Sequence, residues 1–117
     1  ICGKAAVGGN YNSTHDNRGD SNNQVYFGIK DGEAKYMGIT RQPIKIRLGQ
    51  HNKSGKGFLR LEVQYENLTR NQARAIEQYF IENGPNELNK INSIGQNNKY
   101  YKDALARAKQ YLESKGI

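Results

Sequence analysis

Asp31-Gly32 is the step that most restricts what this chain can fold into. A two-residue hairpin needs both central residues at positive φ, which aspartate tolerates and glycine adopts freely. On the N-terminal side Val25, Phe27 and Ile29 alternate with Tyr26, Gly28 and Lys30, the period-two pattern of a strand with one buried face. Lys35 to Thr40 is the return strand. Pro43 then suits the first turn of a helix, where a missing N–H leaves nothing unsatisfied. Ile44, Leu48 and His51 fall on one side of that helix, with Arg47 at its border.

Beyond a flexible basic loop, Asn52 to Gly57, the stretch from Phe58 to Tyr65 alternates again. Leu59, Leu61, Val63 and Tyr65 stand against Arg60, Glu62 and Gln64, which predicts a third strand with one buried face. Thr69 and Gln72 are spaced as a capping box, with Leu68 placed to act as a hydrophobic staple. The helix they open is expected to run to about Ile81 and to stop at Gly84-Pro85. Residues 86–98 show little periodicity. Tyr101, Ala104, Leu105, Ala108 and Leu112 then repeat at helical spacing, predicting a closing helix that packs on the sheet. The expected fold class is α+β, a small three-stranded antiparallel sheet flanked by helices. Residues 1–23, rich in Gly, Asn, Ser and Asp, read as an irregular leader, and residues 24–117 as one domain. The chain starts at Ile1 without a methionine, so the expectation is a piece of something longer.

Charge narrows the function. The net charge is +7, and its excess is concentrated. Residues 41–60 hold Arg41, Lys45, Arg47, Lys53, Lys56 and Arg60 and no acidic side chain, whereas the segments on either side nearly balance. Such a patch is the footprint expected of a phosphate-backbone binder, with Arg41, Lys45, Lys53, Lys56 and Arg60 as candidate nucleic-acid contacts. The common alternative is a solvated face. Cys2 is the lone cysteine, which excludes an internal disulfide and a cysteine zinc site, and His15 and His51 make no metal cluster by spacing. No apolar run is long enough to span a bilayer. Arg18-Gly19-Asp20 and Asn12-Ser13-Thr14 match short adhesion and glycosylation motifs, and both arise easily by chance in such composition.

On the second helix Ala73, Ile76, Phe80 and Ile81 form the apolar stripe, and Glu77 falls inside it. A carboxylate so placed is costly unless it is paired or binds a metal. Glu82 lies on the polar face.

Taken together, Val25-Tyr26-Phe27, then Tyr36-Met37-Gly38, then Arg47-Leu48-Gly49-Gln50-His51 resemble the core of the GIY-YIG nuclease superfamily. That core has a strand tyrosine, a Y-(I/V)-G triplet on the next strand, and a helix with R-x-x-x-H. Val25 stands where the first triplet has its glycine. The resemblance spans roughly residues 24–94.

What the resemblance implies is a metal-dependent endonuclease. Glu77 would hold one divalent cation, with Mg²⁺ suited to a lone carboxylate completed by water and substrate oxygens. Tyr26 would act as general base or position the attacking water. Its phenol, with an ordinary pKa near 10, needs help from the metal, Arg47 or His51. Arg47 would grip the scissile phosphate with its planar fork, His51 would relay a proton from Tyr26, and Tyr36 would orient water. Asn89 is the expected site asparagine, with Asn92 in reserve, although loop asparagines also commonly make local turn bonds. Architecture adds a weaker analogy to the C-terminal toxin domain of a bacterial contact-dependent inhibition protein. Such a domain is secreted, acts in the target-cell cytoplasm, and is neutralised by an acidic immunity protein. A restriction or repair nuclease core, and a non-catalytic nucleic-acid-binding module, remain alternatives. DNA is placed ahead of RNA as substrate.

Overall fold

A computed structural model describes residues 11, 12, 14, 18–89 and 91–116. The element order is β1 (Asn23–Lys30), β2 (Glu33–Thr40), α1 (Ile44–Lys53), β3 (Arg60–Leu68), α2 (Arg70–Asn83) and α3 (Tyr101–Ser114). The strands form one antiparallel sheet in the order β2-β1-β3, so the expected α+β architecture is what forms. Asp31 and Gly32 both take positive φ, 55° and 77°, as the tight turn requires.

Because β1 is central, it is covered on both faces rather than one. Val25 packs with Met37, Leu68, Ile76 and Ile81 in the larger core beside α2 and α3. Tyr26 packs with Phe58 and Leu61 in a second cluster that Ile44 and Leu48 of α1 cover. Gly28 belongs to this second face, and a Cβ there would lie 2.8 Å from the Phe58 ring. The aromatic ring fills the space that the missing side chain leaves.

The expected single buried face of β3 does not form. Leu61 is buried, but Leu59 and Val63 are 68% and 39% exposed, and Phe58 takes the core position instead. Two facts explain this. Asn52 ties both backbone polar groups of Phe58, accepting from its N–H at 2.8 Å and donating to its carbonyl at 3.0 Å, which turns the ring inward. The ladder also slips by one residue: Val63 opposes Tyr26 while Tyr65 opposes Val25. The extra residue, Gln64, is a bulge that moves Tyr65 to the opposite face. There its ring meets Tyr111 of α3 edge-on, with centroids 5.6 Å apart.

The capping box forms as expected, with Gln72 N–H donating to Thr69 Oγ1 at 3.2 Å and Thr69 N–H to Gln72 Oε1 at 3.0 Å. Leu68 and Ala73, the staple pair, are both in the core. α2 stops at Gly84, φ 88°. α3 lies chiefly against α2 rather than on the sheet, burying Ala104, Ala108 and Leu112. Part of the segment expected to be a leader is built into the core: Tyr11 is 4% exposed and its carbonyl accepts from Asn98 at 3.1 Å. The Asn12 carbonyl likewise accepts from Asn71 at 2.9 Å. Cys2, Ser13, His15 and Asp16 lie outside the described residues. Among the described residues no helix is long and apolar enough to cross a membrane.

Candidate active site

The hairpin and α1 converge on one oxygen. Tyr26 projects from β1 toward α1, and its hydroxyl lies 2.6 Å from His51 Nε2. Arg47, one turn before His51, donates from Nε to the same oxygen at 3.1 Å. The Tyr36 ring lies beside it, its centroid 6.4 Å from that of Tyr26. The oxygen reaches this position because its cross-strand partner is Gly38. A Cβ on Gly38 would lie 2.5 Å from Tyr26 Oη, so any side chain there would force the phenol to shift. The glycine of the second triplet is thus space for the tyrosine of the first.

The electrostatics of this cluster are one-directional. Burial, with Arg47 and Lys56 adding to it, pushes the His51 imidazole down to about 4, so the ring is neutral at physiological pH. Arg47 donates into the phenol oxygen, and in the tautomer that carries its hydrogen on Nδ1 the neutral His51 accepts the phenolic hydrogen at Nε2. Burial raises the Tyr26 pKa, while the Arg47 hydrogen bond and charge, and the Tyr36 hydrogen bond, pull it back. Tyr36 is raised first by burial and then by Tyr26 and Glu77, so it stays protonated and serves as a donor.

Beside this cluster lies a cleft of about 1190 Å³ between α1, the end of β2, α2 and residues 88, 89 and 91–93. Tyr36, Arg47, Glu77 and Asn89 line it. Tyr26 and His51 are buried behind that surface, at 0% and 3% exposure. The site therefore has an inner hydrogen-bonded pair, Tyr26 and His51, and an outer surface that meets solvent.

Glu77 is half-buried in the cleft wall. Desolvation raises its carboxyl above the ordinary range, while a hydrogen bond to Ser93 and the charges of Arg70, Arg74 and Arg47 lower it. Among the described residues it is the single carboxylate lining the cleft, and no three His, Cys, Asp or Glu gather there as a metal cluster. A partly desolvated lone carboxylate opening on a wide cleft fits a cation that takes one protein ligand and completes its shell with water and substrate oxygens. Glu82 is occupied elsewhere, accepting a hydrogen bond from the Tyr101 hydroxyl.

Asn89, which lines the cleft, also supports the sheet. Its amide pairs with Met37 like a neighbouring strand, accepting from the N–H at 3.0 Å and donating to the carbonyl at 2.8 Å. With Leu88 N–H donating to the Lys35 carbonyl at 2.8 Å, it covers the open edge of β2. Asn92, the reserve, is buried and accepts from Gln78 at 3.0 Å.

Of the expected phosphate contacts, Arg41 and Lys56 line the cleft; Lys45, Lys53 and Arg60 do not, and Arg60 instead pairs with Glu62 at 2.7 Å. No family model, curated protein or solved structure matches this chain. Lys30, Arg70 and Arg74 join the lining from outside the basic segment. The two arginines were readable in principle, since Arg70, Arg74 and Glu77 repeat at four- and three-residue intervals on one face of α2. Across the lining, six cationic side chains (Lys30, Arg41, Arg47, Lys56, Arg70, Arg74) face one carboxylate.

Proposed function

We propose that this chain is a metal-dependent endonuclease that hydrolyses nucleic-acid phosphodiester bonds in the cleft beside Tyr36, Arg47 and Glu77. One observation carries the reading: the Tyr26 hydroxyl, held between the neutral acceptor His51 Nε2 and the guanidinium of Arg47. Burial raises this phenol's pKa, so it stays protonated at rest. Its bonds to His51 and Arg47 suit a relay in which it gives up one proton as it takes another. The resemblance of Tyr26, Tyr36, Arg47, His51 and Glu77 to a nuclease core agrees with it.

Arg47 offsets the negative charge that gathers on the phenol oxygen as its proton moves to His51 Nε2. In the same step the oxygen takes a proton from a water that enters beside Tyr36 and Arg47. As that water attacks phosphorus the bond to the leaving sugar oxygen breaks, that oxygen taking its proton from solvent in the open cleft. Arg47 also faces the cleft, so it meets the negative charge that develops on the non-bridging oxygens. A divalent cation on Glu77 would supply Lewis-acid polarisation of the phosphate and help for the leaving oxygen. The cationic wall binds the substrate backbone, which favours DNA or RNA over a neutral substrate.

The test is cleavage of plasmid DNA and total RNA, in Mg²⁺ and in EDTA, beside Glu77→Gln. Metal-dependent loss of one substrate in the wild type alone supports the reading. Binding without cleavage of either would replace it with a non-catalytic nucleic-acid module. The biological setting rests on resemblance: we infer a delivered interbacterial toxin whose immunity protein presents acidic side chains to the cleft. Growth arrest on expression, relieved by the product of the adjacent gene, tests that step.

A further inference from the structure

Arg70 and Arg74 belong to none of the proton-handling contacts, yet both face the cleft from α2. Placing them there is unfavourable by itself. They are like charges one helical turn apart, an arrangement that destabilises a helix. Arg74 is 9% exposed, and burial followed by the neighbouring Arg70 charge lowers its pKa. It is nonetheless held firmly, donating from Nη2 to the Ser93 carbonyl at 2.6 Å and lying over the Tyr11 ring at 5.6 Å. Arg70 in front of it is exposed. Glu77 offsets one charge of the group, and Arg47 approaches that carboxylate from the α1 side of the cleft. Two separate cationic positions thus share the cleft with Glu77, one on α1 and one on α2.

We propose that Arg70, backed by the fixed charge of Arg74, forms a second phosphate subsite that holds the backbone phosphate next to the one at Arg47. This rests on the nuclease reading for the identity of the Arg47 phosphate. It adds that the preferred ligand carries two phosphates one nucleotide apart. An exposed guanidinium with a second charge locked behind it suits a bidentate phosphate contact, and the pairing of two subsites in one cleft suits a continuous strand.

The test is equilibrium binding, independent of catalysis, with thymidine 3′,5′-bisphosphate and thymidine 5′-monophosphate as probes. Wild type, Arg70→Ala and Arg70→Lys are compared in low salt, with circular dichroism confirming the fold of each. The wild type is expected to prefer the bisphosphate by about tenfold, the range of one charge-assisted contact. Arg70→Ala is expected to bring that preference to within about twofold, and Arg70→Lys to keep part of it. Equal affinity for the two probes, binding of neither at millimolar concentration, or a preference unchanged in Arg70→Ala would overturn the subsite. Failure of the nuclease reading is seen separately, as absent cleavage with the bisphosphate preference intact.

Discussion

Gly38 and Tyr26 are partners across the β1–β2 ladder, and a single methyl group on the glycine would lie 2.5 Å from the tyrosine oxygen. The Tyr26–His51 contact therefore depends on an atom that is missing two strand positions beyond Tyr36. Gly38→Ala is expected to displace the phenol from His51 and Arg47 and to reduce cleavage severely. Overpacking of this kind also destabilises by about 1–3 kcal/mol. Cleavage rates and a urea titration on the same sample measure both effects.

His51→Ala removes the acceptor for the Tyr26 proton. Loss of a positioned general base lowers turnover by roughly 10²–10⁴-fold. Substrate affinity is expected to change little, because His51 is buried behind the cleft wall. Single-turnover rates, set beside binding of the same oligonucleotide, separate the two quantities.

The His51 pKa makes stability depend on pH in a defined direction. In the folded chain it is lowered from 6.5 to about 4, so the folded state resists protonation more than the unfolded state does. Stability is fully present above pH 6.5 and is lost progressively as pH falls toward 4. Glu77, whose pKa is raised, acts in the opposite sense and partly masks this effect. The comparison is therefore between wild type and His51→Gln. Melting temperature should fall more steeply between pH 6.5 and 4 in the wild type, and identical slopes would contradict a neutral buried imidazole.

Glu77→Gln keeps the shape of the cleft and removes its single described carboxylate. Cleavage is expected to vanish while nucleic-acid binding strengthens modestly, because one negative charge leaves a cationic surface. Gel-shift and cleavage assays run in parallel read both, and residual metal-dependent cleavage would count against Glu77 as the cation ligand.

Asn89→Ala removes both amide bonds to Met37 and reopens the edge of β2. The structure places the asparagine in strand support, so the expected result is destabilisation of about 1–3 kcal/mol from the unpaired backbone groups. Activity measured well below the melting temperature should fall less than stability does. A large loss of turnover at unchanged stability would instead favour a direct part in the reaction.

Elements governed by neighbouring residues could be read directly from the chain. Asp31-Gly32 set the hairpin, Thr69 with Gln72 started α2, and Gly84 ended it, because turn and cap chemistry acts within a few residues. Tyr26, Tyr36, Arg47 and His51 could be grouped for the same reason, since one hairpin and one helix carry all four. Tertiary structure decided the rest. Coverage of β1 on both faces, the bulge that turns Tyr65 toward α3, and the inward turn of Phe58 all depend on which strand lies beside which. The use of Asn89 as an edge clamp on Met37 depends on a contact between residues 52 positions apart. The charge that surrounds Glu77 was dispersed along the chain, with Arg47 on α1 and Arg70 and Arg74 on α2. Local sequence sets conformation over single turns, but which side chains share a cleft is set by packing across the sheet, and only the folded chain shows it.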